Sequence, residues 1–436
     1  MNDSTPDSVP AELPAAWIGW DWADDHHDIF LETAEGKREK IRLAHRPEAL
    51  HSWFKELGQR FDQRKVVLCL EACRSALLPI LLAYSFLELY LVNPKSLARF
   101  REVVRPSGSK NDELDCQLAC QLVKSHRSLL FEYVTEDPLT VELAQLVSYR
   151  RDLVNQRSAL ANQLKATLKL YYPLALDLLQ DDTTTALAAN FVLKFPTLRS
   201  LQESALHLVR KFFVGQGCRL TEKLEERLAK VAGSVTVSQE TSWINPNSFM
   251  ACALAQQLKT MVASVNSIDE RIKIGAEQHP NRALAESLPG AAAVLEPRIM
   301  AVLGTNFAAC DSAGELAVRD GVAPRRIQSG KSCVISRRNA KPQFEHQTWI
   351  EFAKSSLLTC RWAQDFVEAK KKEGKKYYTA IRALAFKWIR IIYACWKSGT
   401  VYNEATYLAS LKKAGSPYAA TPSASQPIAE TPQKNL

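Results

Sequence analysis

The sequence predicts an α/β domain at the N-terminal end, followed by an all-α remainder. Short apolar segments alternate with helical ones up to about residue 130, whereas residues 136–288 carry Leu, Ala, Gln, Lys and Arg at helical spacing. The 436 residues exceed what one hydrophobic core usually supports, so we expect two or three domains. A composition of 46% hydrophobic and 24% charged residues is typical of a globular protein and not of a disordered or membrane chain.

Five strands are predicted in the N-terminal domain, to which we assign residues 15–130. The strands span residues 17–22, 28–33, 40–44, 66–70 and 88–92. Glu35-Gly36-Lys37 predicts a turn between the second and third strands, so the first three should form an antiparallel meander. The later strands are separated by helical segments. Such a mixed sheet is typical of a ribonuclease-H-like fold.

The rest of the chain is expected to be helical in two parts. Residues 131–287 form a helical, coiled-coil-like region that we expect to dimerise, and residues 243–249 with Pro246 should interrupt it. Leu288-Pro289-Gly290 marks the start of a mostly helical C-terminal domain at 288–412, with helices around 348–369 and 377–398. Residues 1–14 and 413–436 lack apolar periodicity, so we expect both ends to be disordered.

Charge and cysteine usage restrict the class of partner and compartment. The net charge of +9 favours a polyanionic partner, because Lys and Arg neutralise phosphates. No segment is apolar for long enough to span a membrane and the start is not a secretory signal, which predicts a soluble intracellular protein. Ten cysteines without a CxxC pair favour reduced thiols over disulfides or a zinc site.

Four carboxylates are candidates for a metal site. Asp21 and Glu71 each follow an apolar strand, and Asp112 and Asp115 are three residues apart on a predicted helix. Carboxylates that converge can hold Mg²⁺ for phosphodiester chemistry. Alternatively, the acids mark strand ends and a helix N-terminus. The nearby run of residues 24–28, with Asp28, is set aside because successive side chains of a strand point to opposite faces.

Ser329 is a candidate nucleophile. It lies in a predicted loop, Gly321–Gly330, among basic residues that could hold a phosphate: Arg325, Arg326, Lys331, Arg337 and Arg338. The alternative is a turn serine in a basic loop. Basic and aromatic residues from Trp349 to Trp396, among them Trp362, predict a DNA-facing surface, although Trp388 and Tyr393 lie in an apolar run typical of a core.

From about residue 15 to 411 the chain resembles the DEDD-type transposases of bacterial insertion sequences, the one-ten and eleven-eleven group. The resemblance rests on the order of Gly19-Trp20-Asp21, Leu70-Glu71-Ala72, residues 109–115, Arg151 to Pro173 with Asn162, residues 288–290 and Gly321–Gly330. It implies a RuvC-like domain in which Asp21, Glu71, Asp112 and Asp115 bind Mg²⁺, and Ser329 as the nucleophile. It also implies transient phosphoserine links to DNA, active sites composed from two subunits of a tetramer assembled from dimers, and a bridge RNA that selects target and donor DNA.

The residues expected to contact nucleic acid are Lys110, Arg325, Arg326, Lys331, Arg337 and Arg338. One departure concerns residues 331–340, which read Lys-Ser-Cys-Val-Ile-Ser-Arg-Arg-Asn-Ala where the family has a glycine-rich stretch. The departure affects the phosphate contacts, and it makes Ser332 and Ser336 competitors for the role of Ser329.

The leading hypothesis is therefore an RNA-guided transposase and recombinase, acting in the bacterial cytoplasm at the nucleoid. A second hypothesis is a RuvC-like, metal-dependent nuclease or junction resolvase that uses water as its nucleophile. A third is an inactive nucleic-acid-binding protein. Covalent protein–DNA adducts distinguish the first from the second, and strand scission in Mg²⁺ distinguishes both from the third.

Overall fold

The computed structural model describes residues 13–71, 77–104, 112–219, 221–330, 332–338 and 341–415, with backbone alone at Asp112 and Glu113. Apart from residues 13–14 and 413–415, the ends predicted to be disordered lie outside this part of the chain. The chain forms two compact units, residues 1–135 and 136–436. No helix among the described residues is long and apolar enough to cross a membrane.

The first unit contains the predicted mixed sheet of five strands, in the order β3-β2-β1-β4-β5. The strands are β1 (Ala16–Asp21), β2 (His26–Thr33), β3 (Arg38–Ala44), β4 (Val66–Glu71) and β5 (Leu87–Val92). β1 to β3 are antiparallel, while β1, β4 and β5 run parallel. The predicted turn is present, since the Thr33 amide donates to the Lys37 carbonyl and Gly36 has a φ of +86°.

Successive side chains along each strand point to opposite faces of the sheet, and a layer of helices covers each face. Ile18, Trp20 and Leu68 belong to the core on one face, where α1 and α2 pack. Trp17 and Cys69 lie on the other face, which α3 and α4 cover. The helices are α1 (Pro47–Arg60), α2 (Leu77–Leu82), α3 (Pro94–Val104) and α4 (Asp112–His126).

The second unit is dominated by two long antiparallel helices, α5 (Pro138–Tyr171) and α11 (Thr241–Gln278). At one end of the pair Thr140 Oγ1 lies 2.9 Å from His279 Nε2, and at the other Trp243 Nε1 donates to the Leu170 carbonyl. Five shorter helices connect them: α6 (Pro173–Leu178), α7 (Ala186–Lys194), α8 (Leu198–Gln202), α9 (Leu206–Gly215) and α10 (Glu222–Gly233). The helical prediction for this region is confirmed.

The predicted interruption at residues 243–249 is wrong, because α11 runs through them. Pro246 is the sixth residue of the helix, so its missing N–H removes one hydrogen bond near the helix start and leaves the following turns intact. The Asn247 side chain donates to the Trp243 carbonyl at 2.8 Å across the same turn.

The C-terminal part of this unit is a helical bundle with one β-hairpin. Its elements are α12 (Arg282–Glu286), α13 (Ala292–Leu303), α14 (Ala313–Arg319), β6 (Arg325–Ser329), β7 (Ser332–Ser336), α15 (Gln343–Ser356), α16 (Arg361–Lys372), α17 (Tyr377–Ser398) and α18 (Glu404–Lys413). The helix predicted around 348–369 is thus two helices. The first ends where the buried Ser356 hydroxyl accepts from Trp388 Nε1.

Candidate functional site

Asp21 and Glu71 end two neighbouring parallel strands. β1 and β4 pair in register from Ala16↔Val66 to Trp20↔Leu70, and Asp21 and Glu71 are the next residues along. Alternation places both on the face of Gly19 and Cys69, which α4 covers. The structure therefore brings these two predicted acids to one edge and one face of the sheet.

Gly19 lets α4 approach β1 at backbone distance. A Cβ on Gly19 would lie 1.8 Å from the Cys116 carbonyl oxygen and 2.4 Å from the Cys120 amide nitrogen. Any side chain here would push the helix away from the strand. Asp115 precedes Cys116 on this docked helix. The close packing at Gly19 therefore determines how far Asp115 lies from β1.

Asp115 is buried, with 8% of its surface exposed, and forms an ion pair with Arg101 of α3. The Arg101 Nη2 donates to one carboxylate oxygen of Asp115. Asp112 is the first residue of α4, and its side chain lies outside the described part of the chain, as does all of Lys110. The structure thus gives Asp115 a cationic partner that the sequence did not predict.

Asp28, excluded above on the alternation of strand side chains, is a further carboxylate at this edge. In the β1–β2 register Asp28 lies directly opposite Asp21, so both side chains are on one face of the sheet. Burial raises the pKa of the Cys116 thiol to about 12, and the charges of Asp21 and Asp28 add to this effect, so both carboxylates lie near Cys116. The sequence carries a signal for this carboxylate. Asp28 lies on the second strand of the predicted hairpin, seven residues after Asp21.

The donor set at this edge suits a hard cation. Asp21, Asp28 and Glu71 offer carboxylate oxygens, the ligands that Mg²⁺ prefers. Among the side chains that the structure describes, no three His, Cys, Asp or Glu form a group that could already hold a metal ion. Asp112 is not in that set, and Asp115 is engaged by Arg101.

Ser329 lies at the tip of a β-hairpin, and not in the extended loop that the sequence predicted. It is the last residue of β6 and pairs with Ser332, the first residue of β7. Gly330 opens the two-residue turn with a φ of +55°, a conformation that favours glycine. Every residue of β6 is exposed, so the Ser329 hydroxyl is accessible to a large substrate.

The basic residues predicted around Ser329 divide into two groups. Arg325 and Arg326 are exposed on β6, where the Arg326 Nη2 donates to the Gln328 side chain. Arg337 and Arg338 follow β7, and Arg338 Nε donates to the Ala323 carbonyl. Lys331 lies outside the described residues.

A buried carboxylate anchors the segment that leads into the hairpin. Asp320 is fully buried and accepts hydrogen bonds from Arg319 Nε at 2.8 Å and Trp349 Nε1 at 2.7 Å. Burial raises the pKa of Asp320, while the charge of Arg319 opposes that rise. Gly321 follows with a φ of +71°, so the chain turns away from the core immediately after this anchor.

The predicted DNA-facing surface is wrong for its tryptophans, while Tyr377 and Tyr378 are exposed. Trp349, Trp362 and Trp396 are buried in the hydrophobic core of the C-terminal bundle. Their indole N–H groups are bonded internally, for example Trp362 Nε1 to the Tyr402 hydroxyl at 3.0 Å. The expectation that Trp388 is a core residue is confirmed.

Comparisons with known proteins relate the chain to transposases of insertion sequences. Residues 18–173 match the family model of IS110-type DEDD transposases, which covers the positions of all four predicted acids but not Ser329. The chain is 23% identical to a protein assigned as the mini-circle transposase for IS117 of Streptomyces coelicolor, over 91% of this chain and 98% of that one. It is also 22% identical to an uncharacterised protein of insertion element IS110 of the same organism, over 87% of this chain and 93% of that one. These matches support a transposase of an insertion sequence.

Proposed function

We propose that the chain cuts and rejoins DNA as the transposase of an insertion sequence, with Ser329 as nucleophile and a Mg²⁺-binding acid site in a RuvC-like domain. The observation that carries the proposal is the placement of Asp21 and Glu71 at the ends of neighbouring parallel strands, on the face against which α4 packs. Acids on separate elements that converge at one edge of a sheet are suited to metal-assisted phosphodiester chemistry.

Asp21 and Glu71 would hold the Mg²⁺, with Asp112 and Asp115 supplied by the first turn of α4. When bound, Mg²⁺ stabilises the charge that develops on the phosphate and on the leaving oxygen. Asp115 would join them only without its ion pair to Arg101. The Arg101 guanidinium would then be suited to a phosphate oxygen.

Ser329 is suited to nucleophilic attack because its hydroxyl is exposed at a hairpin tip beside arginines. In the proposed step a bond forms between Ser329 Oγ and a DNA phosphorus, the phosphorus–oxygen bond to the adjacent sugar breaks, and that sugar oxygen takes up a proton. Attack of a second DNA hydroxyl on the phosphoserine reverses these changes and releases the serine. The joined DNA has as many phosphodiester bonds as the starting DNA.

An element-encoded guide RNA and a tetramer assembled from dimers complete the proposal, and both rest on the family resemblance. The net charge of +9 suits polyanionic partners.

The test is to trap the covalent intermediate. Purified protein, the RNA transcribed from the element, target DNA and donor DNA are mixed in Mg²⁺, denatured in detergent and separated on a gel. We expect a labelled DNA–protein adduct that Ser329→Ala abolishes. Ser332→Ala is the matched control, since Ser332 pairs with Ser329 across the same hairpin and is equally exposed.

Each outcome distinguishes the candidate functions. Adducts that persist in Ser329→Ala and vanish in Ser332→Ala or Ser336→Ala would transfer the nucleophile to that serine. Cleaved DNA without an adduct would identify a nuclease that uses water, and Asp21→Asn should then abolish the cleavage. Salt-sensitive binding without strand scission in Mg²⁺ would identify a binding protein. Adducts that do not require RNA would refute guidance while leaving transposition intact.

A further inference from the structure

A cleft of about 1130 Å³ opens beside the Ser329 hairpin, within the C-terminal bundle. Its basic wall consists of Arg337, Arg338, Arg382, Lys387 and Arg390. We call it the basic cleft. The lining residues that the structure describes include no aspartate or glutamate. Its volume lies just above the roughly 300–1,000 Å³ of ordinary small-molecule pockets, so a short polymer segment can enter it.

The cationic groups of the cleft repel one another. Burial lowers the pKa of Lys387, and the charges of Arg390 and Lys370 lower it further. Burial also lowers the pKa of His346 to about 4, with Lys341 and Arg382 contributing. A surface that gathers several cations attracts anions, above all the phosphates of a nucleic acid. The basic residues of the lining therefore favour an anion as the occupant of the cleft.

The cleft also has an apolar, aromatic part. Phe386 and Ile391 of α17 and Tyr407 of α18 belong to it, and each is only partly buried. The Lys387 ammonium lies 5.0 Å from the centre of the Phe366 ring, and the Arg390 guanidinium lies 5.7 Å from that of Phe386. Phe366 is buried, whereas Phe386 is partly exposed. Cations beside an accessible ring such as Phe386 are the combination that binds an unstacked nucleotide, with phosphates on the cations and a base on the ring.

The cleft is continuous with the serine hairpin. β7 begins at Ser332, the partner of Ser329, and ends at Ser336, which lines the cleft together with Arg337 and Arg338. The four steps along β7 cover about 13 Å. A DNA strand whose phosphate lies at the hairpin tip can therefore continue along β7 into the cleft.

We infer that the basic cleft binds a short single-stranded stretch of the DNA that is cut, holding its phosphates on Arg382 and Arg390 and a base against Phe386. The inference rests on the proposed function for the identity of the nucleic acid as DNA. Arg337 and Arg338 extend the contact toward the hairpin. The cleft thereby holds the strand on one side of the scissile phosphate.

Fluorescence anisotropy of the full chain tests the inference, with a labelled single-stranded DNA of about 12 nucleotides, the same sequence as RNA, and the duplex. Arg382→Ala combined with Arg390→Ala should weaken single-stranded DNA binding at least about tenfold, and should reduce the slope of log affinity against log salt by about 1.4. Phe386→Ala should weaken binding about fivefold or more without changing that slope. The control is Lys371→Ala combined with Lys372→Ala, which removes two exposed cations of α16 outside the cleft.

Unchanged DNA binding in the cleft variants, in a protein whose melting temperature is also unchanged, would overturn the inference. So would a loss confined to RNA or to duplex DNA. The failure of the proposed function is a separate outcome. If no Ser329 adducts form but DNA binding still depends on the cleft, the nucleophile proposal is rejected and the DNA-binding role of the cleft is kept. If Ser329 adducts form and the cleft variants bind DNA normally, the nucleophile proposal is kept and the DNA-binding role of the cleft is rejected.

Discussion

Arg101 on α3 donates a hydrogen bond to the buried carboxylate of Asp115 on α4. The pair joins the two helices that cover one face of the sheet, and both side chains are largely buried, at 17% and 10% exposed. Arg101 therefore neutralises one of the four predicted acids.

Arg101→Ala should destabilise the first unit by about 3 kcal/mol, because it leaves Asp115 buried without a counter-charge. The free energy of unfolding in urea measures this effect. Arg99→Ala, an exposed arginine on the same helix, is the control and should change stability by less than about 0.5 kcal/mol. If Asp115 binds Mg²⁺, the added metal should recover part of the loss in Arg101→Ala. Equal effects of the two substitutions would show that the ion pair contributes nothing.

Asp28→Asn should stabilise the metal-free protein by about 0.5 kcal/mol, because like charges directly opposite one another on a sheet destabilise it. The same substitution should weaken Mg²⁺ binding, measured by calorimetry, if Asp28 shares the site with Asp21. Asp24 is an exposed acid in the connection between β1 and β2. Asp24→Asn is the control and should change neither the stability nor the Mg²⁺ binding. A destabilised Asp28→Asn protein would mean that Asp28 has a structural partner that outweighs the repulsion.

Gly19→Ala should disrupt the docking of α4 on β1. The new methyl group would overlap two backbone atoms of α4, which cannot rotate away as a side chain can. Overpacking usually costs about 1–3 kcal/mol, and we expect at least the upper value here. Thermal unfolding followed by circular dichroism measures the cost. Gly215→Ala has open space around its Cβ and should leave the melting temperature unchanged or slightly higher.

The stability of the first unit should fall as the pH is lowered from about 6.5 to about 4. Burial lowers the pKa of His27 from 6.5 to about 4, and the charges of His45 and His26 contribute. The unfolded chain therefore takes up this proton first, so the stability that the neutral ring provides is present above pH 6.5 and is lost toward pH 4. The shift corresponds to at most about 3 kcal/mol.

His27→Gln removes the titrating ring, so its free energy of unfolding should vary less across this pH range, although its stability at pH 7 is lower. Urea unfolding at several pH values measures both quantities. Identical pH dependence in the two proteins would show that another group causes the acid sensitivity.

The strands of the first unit were predictable because their apolar residues alternate or run continuously between clear turns. The residue that lies next to each acid in the fold was not predictable from the sequence. Asp28 meets Asp21 through the register of a hairpin, and Arg101 meets Asp115 through the packing of two helices, so neither contact is local in sequence. Pairings of this kind depend on the tertiary fold.

The hairpin of Ser329 was missed because both of its strands face solvent, so no alternation of apolar and polar residues marks them. Gly330, directly after Ser329, was the available signal of a tight turn. Basic residues surround Trp349, Trp362 and Trp396 in the sequence and so suggest a surface position that these three side chains do not have. Helical periodicity places those basic residues on the opposite side of each helix, as the buried Trp362 beside the exposed Arg361 illustrates.

The contact between Thr140 and His279 means that the start of α5 and the end of α11 lie at the same point of the second unit. The helices between these two residues form an arm about 50 Å long. The Glu136 carboxylate, which accepts from the amides of Thr305 and Asn306, lies just outside this arm. Removing matched turns from both long helices would shorten this arm without moving either attachment point. The arm can therefore vary in reach among related chains while the parts at its base keep their geometry.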